Sequence, residues 1–255
     1  MSRIISIANH KGGVGKTTTT LNLAAALSSM GRRVLMVDLD PQAGLTIASG
    51  LEPDALERSI YDVLRRGEGA VDTIVRSSFG VDLLPANIDL ALAELELVSA
   101  IARERRLAAV LAPLRDAYDD ILIDCQPSLG LLTLNALATS DGVLIPVACE
   151  YLALRAVRGI LLYVAKVRGQ MNSQLRVLGL LPTMFDRRTR HAATTLSQLK
   201  KEFEPKVKVL NHVVYRSIRF AESTAKGVPI IEYAKALPGA DAYRNLARDL
   251  IAGKL

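Results

Sequence analysis

The chain has 255 residues, 50% of them hydrophobic, and a formal net charge of +6. That supplies a sizeable core, and no apolar run reaches the roughly 20 residues that a membrane-spanning helix needs. The two cysteines, Cys125 and Cys149, and the three scattered histidines, His10, His191 and His212, show no metal-ligand spacing and read as reduced thiols and isolated imidazoles of a cytoplasmic protein.

Residues 3–8 alternate and carry three isoleucines, which predicts a short buried strand. Residues 9–20 then read Asn-His-Lys-Gly-Gly-Val-Gly-Lys-Thr-Thr-Thr-Thr. They fit the phosphate-loop pattern G-x-x-x-x-G-K-[ST] except at its first glycine. Residues 17–30, rich in Leu and Ala, predict a helix that stops at Gly31. A strand, a glycine-rich turn and a helix N-terminus together make an anion site, because backbone N–H groups and the helix dipole converge on one point. Lys11, Gly12, Gly13, Val14, Gly15 and Thr18 would then wrap a nucleotide, Lys16 would reach its terminal phosphates, and the Thr17 hydroxyl would bind Mg²⁺.

Residues 33–38 predict a second parallel strand, which runs into Asp38-Leu39-Asp40-Pro41-Gln42, where Pro41 forces the chain out of the sheet. Acids at the C-terminal end of a strand beside a phosphate loop stand where α/β sheets place ligand chemistry. Residues 51–78 carry little signal. Residues 81–85 predict a strand, and 90–116 a helical stretch whose charges (Glu94, Glu96, Arg103, Glu104, Arg105, Arg106) form a solvated face. At 120–124, Asp-Ile-Leu-Ile-Asp is an apolar strand closed by an aspartate, and Asp124 is placed to hold Mg²⁺ through water. Strands at 142–147 and 176–181 and helices at 151–168 and 239–254 follow. Strand-like and helical runs alternate without an internal repeat. The fold class is therefore α/β: a single doubly wound, mostly parallel sheet flanked by helices, one domain over 1–255.

The charge is localised. Between residues 185 and 226, ten basic residues stand against four acidic ones, which accounts for the whole formal excess of +6. A concentrated basic region points to a polyanion partner, although a basic run is often only a solvated face. Aromatic residues make up 4% of the chain and no helix-turn-helix pattern is present, so contacts would go to phosphates rather than bases.

The run Lys-Gly-Gly-Val-Gly-Lys-Thr-Thr at 11–18 resembles the deviant Walker A box of the ParA/MinD family of ATPases. The resemblance implies that Lys11 reaches across a dimer interface to the partner's nucleotide. A second cation at the phosphates would stabilise charge developing during phosphoryl transfer, and a lysine supplied in trans would link nucleotide binding to dimerisation. Asp38-Leu-Asp40-Pro-Gln is similar to the family's D-x-D-P-Q switch. There Asp40 orients the attacking water and Asp38 helps to hold Mg²⁺ or the loop, with a turn cap as the alternative for Asp38. Cys125-Gln126-Pro127-Ser128-Leu129 resembles the D-x-P-P-S-L loop, with Gln126 in place of a proline.

Residues 182–189 resemble the family loop near the adenine base, so Thr183 and Met184 are expected to line it. Arg188 matches an arginine that contributes to DNA binding in Soj-like members, and Arg187 and Arg190 extend that charge. Residues 214–222 resemble I-P-R-N-V-R-x-x-E-A, with Arg216 and Arg219 as the matching arginines and Tyr215 in place of a proline. The resemblance covers nearly the whole chain and implies a Soj/ParA-type partitioning ATPase, without the N-terminal DNA-reading domain of some relatives. Such a protein uses ATP and Mg²⁺, forms an ATP-dependent homodimer, binds non-specific double-stranded DNA, answers to a ParB-like activator and sits on the nucleoid. The alternative is a MinD-like ATPase that uses a membrane. Its basic amphipathic tail is matched only weakly at 243–254, which lacks bulky aromatic anchors, so no membrane is expected. A metabolic or cluster-carrying ATPase would need a C-x-x-C pair or a substrate-pocket motif, and the sequence has neither.

Overall fold

Period-two alternation decides where each strand's side chains go. In the computed structural model, which describes residues 2–67 and 69–255, β1 (Arg3–Ile7) sends Ile4 to one apolar cluster and Ile5 and Ile7 to another. The same division holds in β2 (Val34–Leu39) and in β5 (Asp120–Cys125). With β3 (Val75–Arg76), β4 (Asp82–Leu84), β6 (Gly142–Ala148) and β7 (Arg176–Thr183) these strands form one seven-stranded sheet, ordered β3-β4-β2-β5-β1-β6-β7. Every pairing is parallel except β3 with β4 at the edge. A parallel sheet is covered on both faces, hence the continuous Val/Ile/Leu runs of its inner strands. This bears out the doubly wound α/β fold class expected from the sequence.

The helices, in chain order, are α1 (Lys16–Ser29), α2 (Gly44–Ala48), α3 (Ile60–Arg66), α4 (Ala70–Thr73), α5 (Leu90–Leu97), α6 (Arg106–Leu111), α7 (Leu131–Thr139), α8 (Ala153–Gln170), α9 (Arg190–Phe203), α10 (Arg219–Ala225), α11 (Ile230–Tyr233) and α12 (Pro238–Ile251). Residues of α3 and of α5 to α9 bury one face of the sheet. Residues of α1, α2, α11 and α12 bury the other. In the second layer the Tyr243 hydroxyl of α12 meets Thr19 Oγ1 of α1 at 3.2 Å, both buried, which fixes the C-terminal helix against the one that begins at the phosphate loop.

Boundaries read from the sequence hold within a residue or two for the inner strands and for α1 and α8, while α12 ends at Ile251, short of the expected 254. The stretch 90–116 differs. It is broken into α5, a 3-10 turn (Arg103–Arg105), α6 and a second 3-10 turn (Ala112–Leu114). The break at Ala102, whose φ is 52°, comes from a distant residue. Buried Asn135 on α7 accepts from Leu107 N (3.1 Å) and donates to Arg103 O (2.9 Å), taking hydrogen bonds that a continuous helix would have made internally. The short edge strand β3 and helices α9 to α11 likewise lay outside the sequence reading. The Asn135→Ala variant leaves those buried groups unpaired and is expected to destabilise the fold by about 2–3 kcal/mol, lowering the melting temperature by about 4–12 °C in a calorimetric scan.

Candidate nucleotide site

Between β1 and α1 the chain turns back on itself through two glycines in the left-handed region, Gly13 (φ 71°) and Gly15 (φ 87°), the latter capping α1. Side chains rarely adopt that backbone, so glycine is required at both positions. The loop is pinned on each side. Asn9 donates to Pro146 O of β6 (2.8 Å) and accepts from Lys11 N (3.1 Å), while Thr183 of β7 donates to Val14 O (2.8 Å). Its N–H groups are therefore held in place by the strands on which ligand-binding loops of α/β sheets are suspended.

Lys16 opens α1 and is buried, with Nζ donating to Lys11 O at 3.4 Å. Burial pulls its pKa below the ordinary lysine value, and the nearby Asp124 carboxylate opposes that pull. Thr17 Oγ1 donates to Asp124 Oδ2 (2.6 Å) and Thr20 Oγ1 to Oδ1 (3.3 Å). The register of β2 on β5 sets Asp38 directly beside Asp124, on the same face. Both carboxyls are fully buried, and burial pushes both pKa values up, with Asp38 adding to the effect on Asp124.

Asp38 accepts from Thr46 N and Thr46 Oγ1 (each 2.8 Å) and from Asp40 N (3.2 Å). In this arrangement it closes the turn carrying Asp40. Asp40 itself is half-buried and accepts from Gln42 N at 3.0 Å. Gln126 donates to Glu94 of α5 (3.0 Å), so the loop after β5 is tied to that helix. Lys11 is half-buried, and its Nζ lies 3.3 Å from Glu150 of its own chain.

A cavity of about 580 Å³ opens beside the phosphate loop, within the usual range for small-ligand sites. Thr183 and Met184, expected at the adenine base, line it, together with Tyr215, Phe220, Thr224 and Tyr243, which sequence reasoning missed. Three of the four non-glycine residues with left-handed backbone among those described, Ala43, Leu152 and Met184, stand on the loops after β2, β6 and β7. Strained residues of this kind persist where surrounding structure holds them, and they gather at ligand sites.

Of the five arginines singled out from the sequence, Arg216 lines the cavity, and the others stand on the segments that follow β7 and Tyr215. Arg187, Arg188, Arg190, Arg216 and Arg219 are all exposed. Arg188 forms a bidentate pair with Asp186 (3.0 Å each), Arg219 pairs with Glu222 (2.9 Å), and the Arg187 guanidinium lies 4.0 Å from the centroid of the Tyr215 ring. Arg190 begins α9, whose first turn, Arg-His-Ala-Ala, holds no acid. A cation at a helix N-terminus is opposed by the helix dipole, so this arginine is not there to stabilise its helix.

Residues 2–177 match the family described as AAA domain. The chain is 44% identical over 253 residues to the sporulation initiation inhibitor protein Soj of Bacillus subtilis, spanning 99% of both proteins. It is 45% identical over 251 residues to the chromosome-partitioning ATPase Soj of Thermus thermophilus, spanning 98% of this chain and 96% of that one. The chain belongs to the Soj/ParA family of ATPases. Among solved structures it is similar to cobyrinic acid a,c-diamide synthase from Mycobacterium smegmatis with bound ADP and magnesium, with a TM-score of 0.88 and 40% identity over 98% of this chain and 94% of that one.

The donor set fits the family's ATP and Mg²⁺. It has oriented loop N–H groups, a buried lysine, a hydroxyl and a carboxylate joined by a hydrogen bond, and a cavity of ligand size. Two buried acids beside one lysine also store electrostatic cost. A raised carboxyl pKa means that the stability given by the neutral acids is complete below the ordinary carboxylate range and is lost as pH rises through the raised values. The Asp124→Asn variant keeps an acceptor for Thr17 and removes one charge. It is expected to raise the melting temperature of the nucleotide-free protein, by about 2–4 °C for each 1 kcal/mol relieved, more at alkaline than at acidic pH. The same variant should lose ATP hydrolysis, and a melting series with a phosphate-release assay checks both.

Proposed function

We propose that the protein is a partitioning ATPase whose ATP-bound homodimer binds non-specific double-stranded DNA and is released from it when a ParB-like partner stimulates hydrolysis. The observation that carries this reading is the placement of the arginine cluster: Met184, Tyr215 and Arg216 line the nucleotide cavity on the same loops that carry Arg187, Arg188 and Arg219.

In this reading the loop N–H groups and Lys16 hold the terminal phosphates of ATP, and Thr17 and Asp124 hold Mg²⁺, Asp124 through water. When bound, Mg²⁺ neutralises charge on the phosphates. Asp40 orients the attacking water. Asp38, saturated by Thr46 and Asp40 N, keeps that loop closed. Lys11 leaves Glu150 to reach the partner's phosphates. An exposed ion pair contributes only about 0–1 kcal/mol, so it is readily given up. Hydrolysis in the monomer is expected to be slow because this second cation comes from the partner. Dimerisation doubles the basic surface, and affinity for DNA rises through multivalency. The cargo is a chromosome origin, a plasmid or another large assembly.

The membrane alternative is disfavoured by α12, which spends its apolar residues Tyr243, Leu246 and Leu250 inside the core against α1. A helix that lies on a bilayer needs that face free. None of the described helices is long and apolar enough to cross a membrane.

Binding to a non-specific DNA duplex with ADP, with ATP and with a slowly hydrolysed ATP analogue, across a salt series, tests the reading. Binding is expected only with ATP or its analogue and should weaken as salt rises. Arg216→Ala and Arg219→Ala should each weaken it and reduce the log–log salt slope by about 1. If DNA is ignored in every nucleotide state while anionic liposomes are bound with ATP, the proposal fails. In the same assays Lys11→Ala should still bind ATP yet stay monomeric by light scattering.

A further inference from the structure

Tyr215 stands where the family resemblance has proline, and it lines the cavity while its ring carries the Arg187 contact. Tyr215 contributes to the wall of the nucleotide cavity, which Gly15 and Thr18 of the phosphate loop and its helix also line. The Arg187 guanidinium is stacked on the Tyr215 ring, 4.0 Å from the centroid, and Phe185 meets it edge-to-face at 5.8 Å. The backbone ties the same two segments. Phe185 N donates to Val214 O and Arg216 N to Phe185 O, both at 3.1 Å, in an isolated parallel bridge between Phe185 and Tyr215. The residue between β7 and Phe185, Met184, is held at φ 51° and also lines the cavity. The base-lining loop and the arginine-bearing loop are thus one mechanical unit with Tyr215 at its centre.

We propose that Tyr215 is a positioning residue that couples occupancy of the nucleotide cavity to presentation of Arg187 on the DNA-facing surface. This rests on the DNA reading above for its biological sense, but the coupling itself has a consequence in nucleotide binding alone. A ligand that settles against one side of the ring fixes the ring. The fixed ring then holds the guanidinium of Arg187, an exposed residue whose unstacked face and edges can meet a phosphate. A proline at 215 would offer no aromatic face. Arg187 does not line the cavity, so an arginine that served DNA alone would leave nucleotide affinity untouched. Coupling between two sites is reciprocal in binding free energy, so loss of Arg187 must be felt in the cavity if the ring joins them. An exposed cation–π contact has the strength of about a two- to fivefold change in affinity.

The test is a double-mutant cycle on the full chain with Arg187→Ala, Tyr215→Ala and the two combined, plus Tyr215→Phe, which keeps a ring beneath the guanidinium. Affinity for a fluorescent ATP analogue is measured without DNA, and affinity for a non-specific duplex is measured with a slowly hydrolysed analogue. Arg187 is exposed, so its variant folds. The expected result is that Arg187→Ala weakens the ATP analogue about two- to fivefold. Adding it to Tyr215→Ala should then cost nothing further in either assay, and Tyr215→Phe should recover most of what Tyr215→Ala loses. Unchanged nucleotide affinity in Arg187→Ala, together with additive losses in the cycle, overturns the proposal. If the wild-type protein binds no DNA in any nucleotide state, the partitioning reading falls, and the DNA-free arm still decides whether Tyr215 couples the two sites.

Discussion

The hydrogen bond from Thr17 to Asp124 is the contact on which the candidate site depends, because it joins the start of α1 to the C-terminal end of β5. Thr17 belongs to the first turn of α1 and Asp124 to the C-terminal end of β5. Their meeting requires β1, β2 and β5 to be in one register, with Ile7 and Asp38 both opposite Asp124. A slip of one residue would turn Asp124 into the apolar cluster on the far face and bring Ile123 or Cys125 toward Thr17. The apolar alternation that fills the core therefore also aims the carboxylates. Folding and site assembly are the same event in this part of the chain.

Burying Asp38 and Asp124 side by side opposes folding, and the structure answers with specific donors. Asp38 takes three, two from Thr46 and one from Asp40 N, and Asp124 takes two hydroxyls. Lys16 supplies the nearby positive charge at the expense of its own solvation. Such an arrangement is balanced only when further positive charge arrives, which is the physical reason that a site of this kind favours a metal-bound nucleotide. Stability given up here is recovered in the rest of the sheet, where the strands are buried on both faces.

Much of this was legible in the sequence because it is local. A buried parallel strand announces itself by four or five apolar residues, a phosphate loop by glycines with a Lys-Thr pair, and a switch by an acid at a strand end. The parts that stayed hidden are those decided by distant residues. Asn135 breaks a stretch that reads as continuous helix, and nothing within 90–116 signals it. The cavity walls at Phe220 and Tyr243 come from segments about 200 residues from Gly15 and reach it only after α12 packs on α1. The arginines were identifiable by resemblance and by charge. Their contacts with Asp186, Glu222 and Tyr215 were not, since an exposed charge gives no sequence-level sign of its partner.

Two departures from the family pattern, Gln126 and Tyr215, show how this chain replaces a covalent constraint by a contact. A proline stiffens a loop mainly by narrowing what the unfolded chain can do. Gln126 forfeits that but ties its loop to α5 through Glu94, which also accepts from Leu132 N, and Gly130 leaves the space in which the Glu94 carboxylate sits. Tyr215 forfeits it as well and gains Phe185, Arg187 and a backbone bridge. A ring is stiff in every state of the protein. A hydrogen bond or a stacked pair is stiff only while its partner is in place. Both loops border the site, one following Asp124 and the other lining the cavity, so each tether holds its loop beside it. A proline has neither the amide that reaches Glu94 nor the ring that carries Arg187, so each substitution brings a contact that the family's residue could not make.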